Sequence, residues 1–165
     1  MRNITEIKHK IIEDPSLNIV LYQPEIPANT GNISRLCGAA EIRLHLIHPL
    51  GFHVDDKRLK RAGLDYWSEV DIRHHESFLE FLKKECVNTD RLVAFSKYAS
   101  DDYTKATVGH GGYLLFGNES SGLPEEMRRS FRCYRIPMWG KVRSLNLSTS
   151  VGIVVYHYLY QLGLF

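Results

Sequence analysis

Short, solidly apolar runs bounded by turn residues recur along this chain and alternate with stretches of helical periodicity, and no other feature limits its folding so strongly. Asn18-Ile19-Val20-Leu21-Tyr22, Leu44-His45-Leu46-Ile47, Leu92-Val93-Ala94-Phe95 and Tyr113-Leu114-Leu115-Phe116 are the clearest, with Cys133-Tyr134-Arg135-Ile136 a weaker fifth. Successive side chains on a strand point to opposite faces, so a run that is apolar throughout needs cover on both. Helices supply that cover. Ile33, Leu36, Cys37 and Ala40 share one helical face, and Ser77 with Glu80 three residues on is a capping-box pattern ahead of Phe78, Phe81 and Leu82. Pro124 suits the start of a short helix through Arg129, with Glu125 and Glu126 at its positive end. A closing helix from Leu147 to Leu162 should stop at Gly163. The expected fold is one α/β domain, a parallel sheet flanked by helices, over residues 18–165. Ahead of it, residues 1–17 read as a polar leader with a short helix from Ile4 to Glu13, closed by Asp14-Pro15.

At 165 residues a single domain buries roughly two thirds of its unfolded surface, so no staples are needed. The three cysteines, Cys37, Cys86 and Cys133, form no C-x-x-C pair, which argues against a disulfide framework or zinc ribbon and for a reducing, cytoplasmic setting. No apolar run approaches the roughly 18 residues a membrane span needs. The net charge of +2 is too mild to identify a partner, but Lys57, Arg58, Lys60 and Arg61 form a dense basic cluster. On its own that cluster reads equally well as a solvated helix face or as a phosphate-binding patch.

Three loops after apolar runs carry unusual residues: 24–35, 116–124 and 136–148. In open parallel sheets ligands bind beyond the carboxyl ends of strands, where such loops lie. Taken singly, their glycines are turn residues, Asn29, Thr30 and Asn146 are helix caps, and Arg35 and Arg143 are surface charges. The dinucleotide and P-loop glycine patterns are absent, as is the G-x-S-x-G elbow. The eight histidines show no metal-ligand spacing, and adjacent His74 and His75 point to opposite faces of a strand, so no metal is expected.

Together the loops resemble something specific. Pro24-Glu25-Ile26-Pro27 with Asn29-Thr30-Gly31-Asn32-Ile33-x-Arg35 is similar to the first motif of the SPOUT, or trefoil-knot, RNA methyltransferases. Leu115-Phe116-Gly117-x-Glu119-x-x-Gly122-Leu123-Pro124 resembles the second, and Ile136-Pro137-Met138 through Arg143-Ser144-Leu145-Asn146-Leu147-Ser148 the third. Asp55 through Tyr66 resembles the subgroup of TrmL type, which methylates the ribose of the tRNA wobble nucleotide. The resemblance spans Asn18 to Gly163 and implies a C-terminal trefoil knot, S-adenosyl-L-methionine as cofactor and tRNA as partner. It puts cofactor contacts at Phe95, Gly117, Ile136, Ser144 and Leu145, where glycine would admit backbone close to the adenosine and apolar side chains would enclose its ring. It gives Arg35 the central catalytic place, with Asn146 and Tyr156 as further candidates for positioning substrate or for dimer packing. A guanidinium is a poor base, so holding a phosphate and the ribose hydroxyl suits Arg35 better than accepting a proton. With tRNA as substrate, Lys57, Arg58, Lys60 and Arg61 become phosphate contacts. Two alternatives stay open: the same chemistry at another tRNA or rRNA site, and an RNA-binding protein that keeps the fold without catalysis.

The closing helix also bears on assembly. Val151, Val154, Val155, Tyr158, Leu159 and Leu162 form one apolar stripe, while Leu147, Ile153 and Tyr156 lie off it. A helix apolar nearly all round needs cover on more than one side, so a homodimer is expected.

Overall fold

The computed structural model describes residues 9–54 and 64–165. Its centre is a seven-stranded, all-parallel sheet in the order β3-β2-β1-β6-β4-β7-β5. The strands are β1 (Leu17–Tyr22), β2 (Arg43–Ile47), β3 (Ile72–His75), β4 (Leu92–Phe95), β5 (Asp101–Asp102), β6 (Gly112–Phe116) and β7 (Arg132–Arg135). All four clear apolar runs are strands, as their two-faced patterning requires.

Each face has its own core. Leu17, Ile19 and Leu21 of β1, with Leu44, Leu46, Leu114 and Phe116, pack under helices α1 (Pro27–Ala40) and α4 (Leu147–Gln161). Val20, Ile47, Leu92, Ala94 and Leu115 point the other way, under α2 (Phe78–Lys84) and α3 (Glu125–Ser130). The alternation is register-locked: Ile19 lies opposite Leu44 and Leu114, so a one-residue slip would carry a whole apolar set to the wrong face. In α4, Val151, Val154, Val155, Tyr158 and Leu159 are buried, the aliphatic ones each worth about 1.5–3 kcal/mol.

Helix boundaries mostly follow local chemistry. The Ser77 side chain accepts from the Glu80 N–H at 3.1 Å, the expected cap of α2. Asn146 caps α4, accepting from Ser148 N–H at 2.9 Å, and Gly163, at φ +71°, follows its last turn. α1 differs from expectation. It begins at Pro27, inside the segment read as loop, with Ile26 at the N-cap and no side-chain cap. Proline at the first helical position fixes φ and gives up no intrahelical bond, so the helix needs no capping side chain to start.

The leader also departs from the sequence reading. Within its described part, residues 9–13 are not helical. They are held from outside instead: Ile12 N–H donates to Asp71 at 3.0 Å, the Arg43 guanidinium donates to Ile12 O, and Lys10 pairs with Glu41 at 2.7 Å. Asp71 also binds the buried Arg43 at 2.7 Å, so one carboxylate serves both the sheet edge and the leader. These tertiary bonds take the backbone groups that a marginal helix of this length would otherwise pair internally. No helix among the described residues is long and apolar enough to cross a membrane.

Candidate active site

The loops after β1, β4, β6 and β7 all open at the carboxyl end of the sheet, near the point where β1 leads on to β2 on one side and its neighbour β6 to β7 on the other. Between them lies a cavity of about 820 Å³, lined by residues of all three motif loops. Phe95, Gly117, Ile136, Ser144 and Leu145, widely spaced in sequence, all line it, and so does Asn146. Its floor is apolar: Phe95, only 7% exposed, stacks on Phe116 with ring centroids 5.0 Å apart.

A directed relay of hydrogen bonds ties the three loops together. The Glu119 carboxylate accepts from the Glu25 N–H at 2.7 Å, the Ile26 N–H at 3.1 Å and the Asn29 Nδ2 at 3.0 Å. Asn146 Nδ2 donates to Asn29 Oδ1 at 3.0 Å. The amide orientations follow from chemistry. Asn146 must present Oδ1 to the helix N–H groups it caps, which turns its NH₂ toward Asn29 Oδ1 and leaves the Asn29 NH₂ for the carboxylate. Glu25 returns the link, accepting from Ser120 N–H at 3.0 Å and Ser120 Oγ at 2.8 Å. Asn29 and Glu119 were visible in the motifs, but sequence reasoning gave Asn29 only a capping role and Glu119 none. The one hint was a lone carboxylate in an otherwise uncharged glycine-serine loop. Partners some 90 to 117 residues apart leave no local periodicity to read.

Gly117 has a structural role besides lining the cavity. A Cβ there would lie 2.1 Å from Gly122 C and 2.2 Å from Leu123 N, so the glycine lets its own loop fold back on itself. Gly122, at φ +69°, makes that return, and Asn118 Oδ1 pins it by accepting from Ser121 N–H at 2.9 Å and Gly122 N–H at 3.1 Å.

The remaining predicted residues fall elsewhere. Arg35 is exposed on α1, its guanidinium 5.4 Å from the Tyr66 ring centroid, and does not line the cavity. Tyr156 does not line it either; it sits on the outer side of α4, 49% exposed, near Phe165 at 6.1 Å between centroids. Lys57, Arg58, Lys60 and Arg61 lie outside the described residues. Sequence reading also missed a histidine cluster away from the cavity. His45 Nδ1 and His75 Nε2 are 3.0 Å apart with Glu85 close by, and these three could offer donor atoms within 4.8 Å of one another. Glu85 is already paired with Arg73 at 2.6 Å. Burial holds His45 and His75 below the ordinary imidazole range, which keeps them neutral.

Comparison with known proteins bears on this site. The family model described as the SpoU rRNA methylase family matches residues 16–156. The tRNA (cytidine(34)-2'-O)-methyltransferase of Escherichia coli strain K12 is 46% identical over 150 residues, covering 89% of this chain and 94% of the relative. That of Yersinia pestis is 46% identical over 153 residues, covering 89% and 94%. A solved structure from work on the 2-OH methylation of C/U34 on tRNA superposes with a TM-score of 0.85 at 49% identity, covering 90% of this chain and 97% of that one. An AdoMet-bound rRNA methyltransferase from Sinorhizobium meliloti superposes at 0.79 with 26% identity, covering 91% of this chain and 58% of its own.

Proposed function

Because the chain belongs to the SpoU rRNA methylase family, we propose that it transfers a methyl group from S-adenosylmethionine to the ribose 2'-hydroxyl of the wobble nucleotide of tRNA, a cytidine or modified uridine. The observation that carries this reading is the convergence of all three motif loops on one cavity, in a chain 46–49% identical to proteins of that activity. Methylation at another tRNA or rRNA site has weaker support, since the rRNA enzyme among the neighbours is only 26% identical.

The residues present fit the cofactor. A cavity of about 820 Å³ lies within the usual range for small-molecule sites. The Phe95–Phe116 stack, Ile136 and Leu145 offer apolar cover for a nucleobase, and Ser144 and Ser150 add hydroxyls at the rim. When bound, S-adenosylmethionine supplies an electrophilic methyl group on a sulfonium centre. The protein then has to hold a ribose hydroxyl in line and let its proton leave. Asn146 stands at the cavity edge with its amide fixed by Asn29 and by the cap of α4, so it positions and does not titrate. Arg35 offers a permanent cation for a backbone phosphate of the RNA. Lys57, Arg58, Lys60 and Arg61 hold further phosphates.

The active form in this reading is a homodimer. Ile153, Tyr156, Tyr160, Leu164 and Phe165 form an exposed apolar strip on and after α4, the side its own sheet does not cover. Such a strip supports two-fold pairing, and Tyr156 serves that packing. Family membership also implies a trefoil knot, whose crossing segments would come from the second and third motif loops. Three free cysteines suit the reducing cytoplasm.

The test is incubation of the protein with bulk tRNA and radiolabelled S-adenosylmethionine, followed by mapping of 2'-O-methyl groups. Label at the wobble nucleotide is expected. Label elsewhere would replace the substrate assignment, and no label from a protein that binds the cofactor would leave an RNA-binding role.

A further inference from the structure

One aromatic side chain at the cavity mouth is used neither by the core nor by the apolar floor. Tyr98 follows β4 in a tight turn, where Ala99 N–H donates to Ser96 O at 3.1 Å and Tyr98 N–H to Ser96 Oγ at 3.3 Å. Tyr98 borders the cavity yet is 65% exposed, against 7% for Phe95 three residues earlier. A floor aromatic encloses what the cavity holds, whereas an aromatic 65% exposed at the rim keeps ring surface open to a second ligand.

Two cations gather on it. The Arg128 guanidinium carbon is 4.7 Å from the Tyr98 ring centroid, and the Lys97 ammonium is 5.2 Å away. Arg128 comes from α3, just after the 116–124 loop, and is steadied by its Nε donating to Leu123 O at 3.2 Å. Among the described residues neither cation has a carboxylate partner within 4.0 Å, while other surface cations such as Lys105 and Arg129 do. The result is an exposed π surface carrying two positive charges without a carboxylate partner among the described residues, at the edge of the cavity.

A planar ring with adjacent phosphate is the chemistry that matches both features at once. We propose that Tyr98, flanked by Arg128 and Lys97, is a stacking platform for an RNA nucleotide next to the methylated one, with its base on the ring and its phosphate on the cations. This rests on the reading of the substrate as tRNA. The anticodon nucleotides are single-stranded, and proteins recognise such segments by splaying bases onto aromatic and guanidinium planes. A ribose presented to the cavity leaves its neighbours at the mouth, where the platform stands.

The experiment is direct binding of an anticodon stem-loop RNA carrying 2-aminopurine beside the target nucleotide, read by fluorescence, with methyl transfer measured in parallel. Tyr98→Ala should weaken RNA binding by about ten-fold or more and remove the quenching that stacking causes. Tyr98→Phe, which keeps the ring, should restore both. S-adenosylhomocysteine affinity and the unfolding midpoint should match the wild type in each variant. Arg128→Gln and Lys97→Gln should each lower the salt slope of RNA binding by about one. Wild-type affinity and quenching in Tyr98→Ala would overturn the platform while leaving the methyltransferase assignment intact. Loss of S-adenosylhomocysteine affinity would overturn it in favour of a cofactor contact. Failure of the wild type to methylate tRNA, with binding and quenching still dependent on Tyr98, would strike only the functional reading.

Discussion

Replacing Asn29 by aspartate exchanges one NH₂ group for an oxygen and changes the relay's logic completely. Asn29 is 4% exposed, and its Nδ2 lies 3.0 Å from Glu119 Oε1. With both carboxyls ionised, two like charges would face each other at that distance, a repulsion of about 5 kcal/mol at an effective dielectric of about 20. Taking up a proton is cheaper. Holding an ordinary carboxyl protonated at about pH 7 costs about 4 kcal/mol, so the pair shares one proton instead of bearing two charges. A protonated carboxyl has one donor and one acceptor, the same pattern as the amide: its O–H meets Glu119 and its carbonyl still accepts from Asn146 Nδ2. Between about pH 4 and neutrality the folded variant therefore holds one proton that its unfolded chain lacks. Its stability relative to wild type should fall by about 1.4 kcal/mol per pH unit as pH rises, reaching a deficit of about 4 kcal/mol near pH 7. Near pH 4 the deficit should shrink to about 0.5 kcal/mol. Urea unfolding of both proteins at a series of pH values reads this difference directly, and other titrations common to the two cancel. A deficit that does not change with pH would refute the relay, because packing loss alone carries no proton.

Gly117→Val should cost S-adenosylhomocysteine affinity together with thermal stability, because its Cβ would collide with backbone at 2.1 Å; calorimetric titration and a melting curve check both, and intact stability with lost affinity would return Gly117 to a direct cofactor contact. Acid should destabilise the fold through its buried histidines: burial and the neighbouring His48 push His74 down to about 4, and burial lowers His45 and His75. The unfolded chain takes up those protons first, so their contribution is complete above about pH 6.5 and is lost as pH falls toward about 4, and a flat urea midpoint across that window would contradict it. Tyr156→Asp should shift the protein to monomer in sedimentation equilibrium at micromolar concentration, and a wild type already monomeric while methylating tRNA would end the dimer reading.

What the sequence disclosed and what it hid divide along physical lines. Strands such as Leu92–Phe95 and Gly112–Phe116 were legible because a segment covered on both faces is apolar at nearly every position. The Ser77 cap was legible because its partner is three residues away. The start of α1 was not, since Pro27 begins the helix without a polar cap and Asn29 and Thr30 are buried where polar residues are expected outside. The course of residues 9–13 was not legible because their bonds go to Asp71, Arg43 and Glu41, far along the chain. The five expected cofactor residues do gather on one cavity, but their grouping came from the motif resemblance and not from any periodicity. The Glu119–Asn29–Asn146 relay joins three loops across the whole domain, and only the folded chain brings its members within 3.0 Å. Gly117 lines the cavity as the motif implies, but its second demand, room for its own loop to fold back, depends on Gly122 and Leu123 and shows only in the folded chain.

If the methyl group goes to one ribose hydroxyl, removing that hydroxyl abolishes transfer. Two otherwise identical tRNAs, one with ribose and one with 2'-deoxyribose at the wobble nucleotide, would be incubated with the protein and labelled S-adenosylmethionine. Label should enter the first and not the second, with both tRNAs bound equally well. Equal labelling of the two would contradict the assignment, because the methyl group would then be going to another atom.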